Sequence, residues 1–124
     1  MQAQGKYGQA LADYQAAIRI DAQHALAHNS LAWLLATCPE AKICDGRRAV
    51  EMAKRAHELA DGKRVDFLDT LAAAHAAAGE FDQARAWQDK AVELAPESKK
   101  AAYVVRLKLY ESRQPFRDAP ANSP

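Results

Sequence analysis

Apolar residues recur along this chain at three- and four-residue spacing, the period of a helix with one buried face. The first such run covers about Tyr7 to Ile20, with Leu11, Tyr14, Ala17 and Ile18 on one side. The second, about Ala25 to Thr37, carries Leu31, Leu34 and Leu35 and meets Pro39, which lacks the amide a helix needs and disfavours helical geometry in the residue before it. Asp45 is a suitable N-cap for a third run, about Gly46 to Ala60, striped with Val50, Ala53, Ala56 and Leu59. "DGK" at Asp61–Lys63 breaks the chain. A fourth run, about Val65 to Ala78, carries Leu68, Leu71, Ala72 and His75, and Gly79 closes it. The fifth, about Phe81 to Leu94, ends before Pro96. The sixth, about Ser98 to Ser112, has Val105 and Leu109 on one side and Tyr103, Leu107 and Tyr110 on a neighbouring side. "QPFRDAPANSP", residues 114–124, reads as a flexible tail. No segment alternates as a strand does. Short connections place successive helices antiparallel.

Composition narrows the picture. Alanine makes up much of the apolar content, while glycine, proline and aromatics are few, the balance of a close-packed all-α domain. The length of 124 residues suits one domain. Seventeen basic residues face sixteen acidic ones, so no bulk polyelectrolyte partner is implied. The longest apolar stretch, "LAWLLATC", is too short to span a bilayer. The opening "MQAQGKYGQA" lacks the basic start and apolar run of a signal peptide, and a cytoplasmic setting is the default expectation.

The chain also repeats itself. "GKYGQALADYQAAIRIDA" (Gly5 to Ala22) aligns with "GEFDQARAWQDKAVELAP" (Gly79 to Pro96), and "HNSLAWLL" (His28 to Leu35) with "LDTLAAAH" (Leu68 to His75). On these residues the chain resembles the tetratricopeptide repeat family. One unit matches that pattern as Leu68, Leu71, Ala72 and His75 followed by Ala84, Ala91 and Pro96. Another matches as His28, Leu31, Ala32 and Leu35 followed by Ala49 and Ala56. A partial unit contributes a second helix through Gly5, Tyr7, Ala10, Tyr14 and Ala17. The departures are plain: no tryptophan opens either first helix, alanine stands for the usual glycine, and Gln88 stands for the usual aromatic.

The resemblance implies a short right-handed solenoid of antiparallel helix pairs over residues 1–113. Its units are a partial repeat at about 5–22, a repeat at 25–61 with a long inter-helix loop at 38–46, a repeat at 65–96 and a capping helix at 98–112. Ala72 to Ala84 is twelve steps and Ala32 to Ala49 is seventeen, so "CPEAKICDG" is a lengthened connection of about five extra residues.

That spacing governs the two cysteines. Cys38 and Cys44 lie in the long connection, either as thiols or as a short-range disulfide; C-x5-C is not the C-x-x-C of oxidoreductases. Adding His24 and His28 gives no common zinc spacing, so no metal is expected. His75 reads as a packed, partnered core histidine. No nucleophile–base–acid set, phosphate-cradling glycine loop or catalytic carboxylate pair occurs, so neither enzyme nor cofactor is expected. Arg47, Arg48, Lys54 and Arg55 form a basic patch without interleaved aromatics, a poor footprint for nucleic acid.

The resemblance also implies function: docking of a peptide or partner helix in the concave face of the first helices. Carried onto this sequence, the groove comprises Leu26, Asn29, Ser30, Trp33, Asp66, Asp69, Thr70 and Ala73, with Lys100, Tyr103 and Leu107 from the sixth helix. Trp33 either anchors a ligand there or packs beneath the long connection. Some family members clamp a C-terminal carboxylate with lysine, arginine and asparagine; only Asn29 survives here. Asp66 and Asp69 would repel a carboxylate, so a basic or apolar protein partner is expected rather than an acidic one. The alternative is assembly. The chain enters its first unit at a second helix, leaving Leu11, Tyr14 and Ile18 partly open, to be covered by another copy or by a preceding helix of a longer array.

Overall fold

Each helix boundary has a local chemical cause. In the computed structural model, which describes residues 2–39 and 43–117, the helices are α1 (Gln2–Ile20), α2 (Ala25–Thr37), α3 (Gly46–Leu59), α4 (Val65–Ala77), α5 (Phe81–Leu94) and α6 (Glu97–Glu111). His24 caps α2: its Nδ1 accepts from the Ala27 amide at 3.1 Å, which requires that nitrogen to be unprotonated. The Asp45 carboxylate caps α3 by accepting from the Arg48 amide at 3.1 Å. At the other ends, α3, α4 and α6 all close by the same left-handed turn. Gly79 (φ 82°) follows α4, and Asp61 (φ 55°) and Arg113 (φ 58°) take the equivalent places after α3 and α6. The Glu80 amide donates to the His75 carbonyl at 2.8 Å, Gly62 to His57 at 2.9 Å and Gln114 to Leu109 at 2.9 Å.

The expected α1 began at Tyr7, but the helix starts at Gln2. Gly5 aligns with Gly79 in the repeat. Gly79 ends a helix, whereas Gly5 lies inside one, where glycine is tolerated at about 1 kcal/mol relative to alanine.

The helices stack as pairs. α2 packs on α3 and α4 on α5; α4 also lies against both α2 and α3, α5 carries α6, and α1 rests on α2. Among the described residues there is no strand, and no helix is long and apolar enough to cross a membrane. This is the all-α helix-pair stack expected from the repeat. α4 is its centre, with every residue from Phe67 to Ala76 buried. Small side chains make that density possible: Ala32, Ala36, Ala49, Ala53, Ala73 and Ala74 surround Leu31, Leu35 and Leu71, so helices approach with few voids. Gly46 marks a close approach. A Cβ there would sit 2.5 Å from the backbone carbon and oxygen of Ala77, so α3 begins directly against the end of α4.

Leu11, Tyr14 and Ile18 of α1 pack against this core and are half-buried, while Ile20 is 87% exposed. The core histidines are satisfied locally. His28 Nδ1 lies 2.9 Å from the His24 carbonyl, and His75 Nδ1 lies 2.8 Å from Glu80 Oε1. Cys38 is buried and Cys44 half-buried, and no disulfide joins them. The remainder of their connection, residues 40–42, lies outside the described residues.

Candidate functional site

The residues that α4 presents on its first two turns define the site. Asp66 and Thr70, one turn apart, and Asp69 beside them face the gap that α2 borders on one side and α6 on the other. That gap is a cleft of about 350 Å³ lined by Tyr14, Asn29, Ser30, Trp33, Asp66, Asp69, Thr70, Lys99, Ala102, Tyr103 and Arg106. Seven of the expected groove residues meet here: Asn29, Ser30, Trp33, Asp66, Asp69, Thr70 and Tyr103. Four do not line it. Leu26 is half out in solvent at 52% exposure, and Ala73 is buried in the core between α2 and α4. Lys100 and Leu107 lie one position past the α6 residues that turn toward the cleft, which are Lys99, Ala102, Tyr103 and Arg106. Tyr14, assigned from sequence to a self-association stripe, also reaches the cleft wall.

Lys99, Ala102 and Arg106 were not read from the sequence as groove residues, and of these Arg106 organises the site. Its Nη1 donates to Asp69 Oδ2 at 2.8 Å. Asp69 Oδ1 accepts from Gln88 Nε2 at 3.0 Å, and the same nitrogen donates to the Tyr103 carbonyl at 3.0 Å. Gln88 is wholly buried. Its departure from the family's aromatic is therefore paired with a buried carboxylate: the amide ties α5 to α4 and α6 at once. The Arg106 guanidinium also lies 5.1 Å from the Trp33 ring centre and 5.7 Å from that of Tyr103, within cation–π range of both. The readable signal was Asp69 itself, since a carboxylate on an otherwise apolar helix face demands a cation when buried.

Both groove aspartates are engaged by arginines. Asp66 is held by Arg64, whose Nε and Nη2 donate at 3.0 and 2.8 Å. Asp69 is spoken for by Arg106 and Gln88. Burial raises the Asp69 carboxyl above its ordinary range, and the neighbouring Arg106 opposes this only in part. With both aspartates paired and Lys99 on the rim, the cleft offers aromatic and neutral polar surface rather than free negative charge. Two polar atoms beside it, Asn29 Oδ1 and Arg106 Nε, have no hydrogen-bond partner among the described residues.

Residues 113–117 complete the site from a direction that the expectation of a flexible tail from 114 did not anticipate. After the left-handed turn at Arg113 the chain folds back across the ends of the first helices. Phe116 packs on Trp33, ring centres 5.7 Å apart, and lies 4.8 Å beneath the Arg106 guanidinium. It also leans on the buried group formed by Ala72, Ala76, Ala84 and Tyr110. Arg117 Nη1 donates to the Ala36 carbonyl in the last turn of α2 at 2.6 Å, where a helix presents unsatisfied carbonyls and partial negative charge. Trp33 is thus both a wall of the cleft and the seat of Phe116. Residues 118–124, the rest of the expected tail, lie outside the described residues.

Among the described residues no three or more histidines, cysteines, aspartates or glutamates gather as a metal site. Two family models match the chain, one described as TPR repeat over residues 3–36 and one described as Tetratricopeptide repeat over residues 65–98, together more than half its length. The first covers α1 and α2, the second α4, α5 and the start of α6; α3, reached through the lengthened connection, falls between them. A search of curated proteins finds no match.

Proposed function

Because the chain belongs to the tetratricopeptide repeat family, whose repeats mediate protein–protein interaction, we propose that it is a binding module taking a peptide or partner helix along the concave cleft between α2, α4 and α6. The observation that carries this reading is the convergence of Trp33, Tyr103 and Arg106 on one open cleft, held in place by the buried Asp69–Gln88 network. Tryptophan, tyrosine and arginine are the residues that dominate interface energetics, and side chains fixed by packing bind with little ordering cost. The partner is apolar or aromatic in character. Of the basic or apolar partner expected from Asp66 and Asp69, the apolar alternative is favoured by the engagement of both carboxylates in ion pairs.

Ala102→Glu tests the cleft, since Ala102 is exposed, lines it and tolerates a helix former. Ala101→Glu, also exposed on α6 but outside the lining, is the control. Proteins captured by the wild type should be lost with Ala102→Glu and kept with Ala101→Glu. Equal capture by all three removes the cleft from the binding surface.

Assembly is the second reading, favoured by α1. Its half-buried stripe is flanked by a largely apolar cleft that includes Tyr7, Ala10, Leu34 and Cys38, a shape that a further helix would fill.

A further inference from the structure

Resting on the cleft reading above, we infer that the concave face carries a defined subsite for an aromatic residue followed by arginine. The chain's own Phe116–Arg117 fills it, and a partner segment of the same chemistry, in extended form, binds by displacing it. Two separate features recognise the two side chains. The aromatic seat is made by Trp33 and the Arg106 guanidinium, at 5.7 and 4.8 Å from Phe116. The arginine seat is the Ala36 carbonyl at the end of α2, reached by Arg117 Nη1 at 2.6 Å. The α2 carbonyls beside it are already used: Leu34 accepts from the Cys38 amide at 3.0 Å and Leu35 from the Asp45 amide at 2.9 Å. Ala36 is the one to which a distant side chain is drawn. Among the described residues the Cys44 thiol also lies near it, at 3.9 Å, a weaker donor than a guanidinium.

The resident segment is anchored as a reversible ligand rather than as core. Pro115 and Phe116 are only half-buried and Arg117 is exposed. Its connection to α6 is short, and Arg113 holds the left-handed turn, a conformation unfavourable for a non-glycine residue. Arg113 itself is steadied by the Phe81 ring, 5.3 Å from its guanidinium. A short tether gives the segment an effective concentration of about millimolar, so an external segment competes against a standing occupant. The cleft beside this seat stays open, so a ligand that also contacts Tyr103, Asn29 or Lys99 along it gains over the resident segment.

The probe is the fluorescently labelled pentapeptide Gln-Pro-Phe-Arg-Asp, titrated by anisotropy into the full chain. Against Phe116→Ala/Arg117→Gln the peptide should bind on the order of tenfold or more tighter than against the wild type. Replacing its phenylalanine with alanine or its arginine with glutamine should weaken binding to that variant. Arg117→Gln alone, a change at an exposed residue, should give a smaller gain of the same sign and serves should the double variant be poorly folded. Equal affinity for wild type and variants, or no binding to a folded variant, overturns the inference. So does a wild-type dimer that Phe116→Ala/Arg117→Gln makes monomeric, because the segment then belongs to a neighbouring copy. The two proposals fail separately. If Ala102→Glu still abolishes partner capture while the peptide fails, the subsite falls and the cleft stands.

Discussion

The buried triad of Asp69, Gln88 and Arg106 shows how one residue can fix a site from beneath it. Removing Asp69 strands the Arg106 charge, only 18% exposed, and one Gln88 donor. Breaking a buried pair in this way costs several kcal/mol, and Asp69→Ala should lower unfolding free energy by about 3 kcal/mol in urea titrations. A loss below about 1 kcal/mol would show the pair to be effectively solvated. The pH dependence has a definite sign. Burial raises the folded carboxyl above its unfolded value of about 3.9. Its contribution is therefore fully present below that value and is lost as pH rises through the folded one. Wild type should lose stability relative to Asp69→Asn as pH climbs from the acid side, and a difference that grows in favour of wild type would contradict the raised carboxyl. The sequence flagged Gln88 as an oddity and Asp69 as a groove residue. It left their connection unread because the partners lie 19 and 37 positions from Asp69, a separation that periodicity does not encode.

Helices were the most legible level, because stripe, cap and stop agree. Asp45, Gly79 and Pro39 act locally, and their helices end within a residue of expectation. α1 and α6 were read less well. In α1 the apolar stripe is first readable at Tyr7, while the helix begins at Gln2. In α6 two candidate faces differed little in apolarity, and only packing on α4 and α5 selects Tyr103 and Tyr110 for burial over Val105, which is 59% exposed. Because that choice rotates the helix, Lys100 and Leu107 gave way to Lys99 and Arg106. Two glycines separate element geometry from element conformation. Gly46→Ala places a methyl 2.5 Å from the Ala77 backbone, which cannot yield as a side-chain tip would. It should destabilise by about 1–3 kcal/mol despite better helix propensity. Gly79→Ala meets open space but keeps φ at 82°, so its cost, about 1–2 kcal/mol, is conformational alone. Thermal melts of both variants check this, and a neutral Gly46→Ala would mean the α3–α4 approach relaxes freely.

Across the whole molecule the question is what covers α1. Leu11 and Ile18 are half-buried, and fully covering such side chains is worth roughly 1.5–3 kcal/mol each. Sedimentation should therefore show concentration-dependent association of wild type that Leu11→Glu/Ile18→Lys abolishes; a wild type monomeric at about millimolar concentration would argue against assembly through this helix. The repeat made the stack legible from spacing alone. The return of Phe116 and Arg117 was not, since a five-residue stretch without a stripe carries no periodic signal. Its effect extends beyond binding. A stack of repeats ordinarily behaves as a line, each unit sensing only its neighbours, so that ends fray independently of the middle. The hydrogen bond from Arg117 to Ala36 spans 81 positions and joins the last helix to the second. A line fastened in this way becomes a closed circuit. While the segment is docked, loosening α6 should remove a bond from α2, so the intervening helices should melt between two tied points rather than from a free edge.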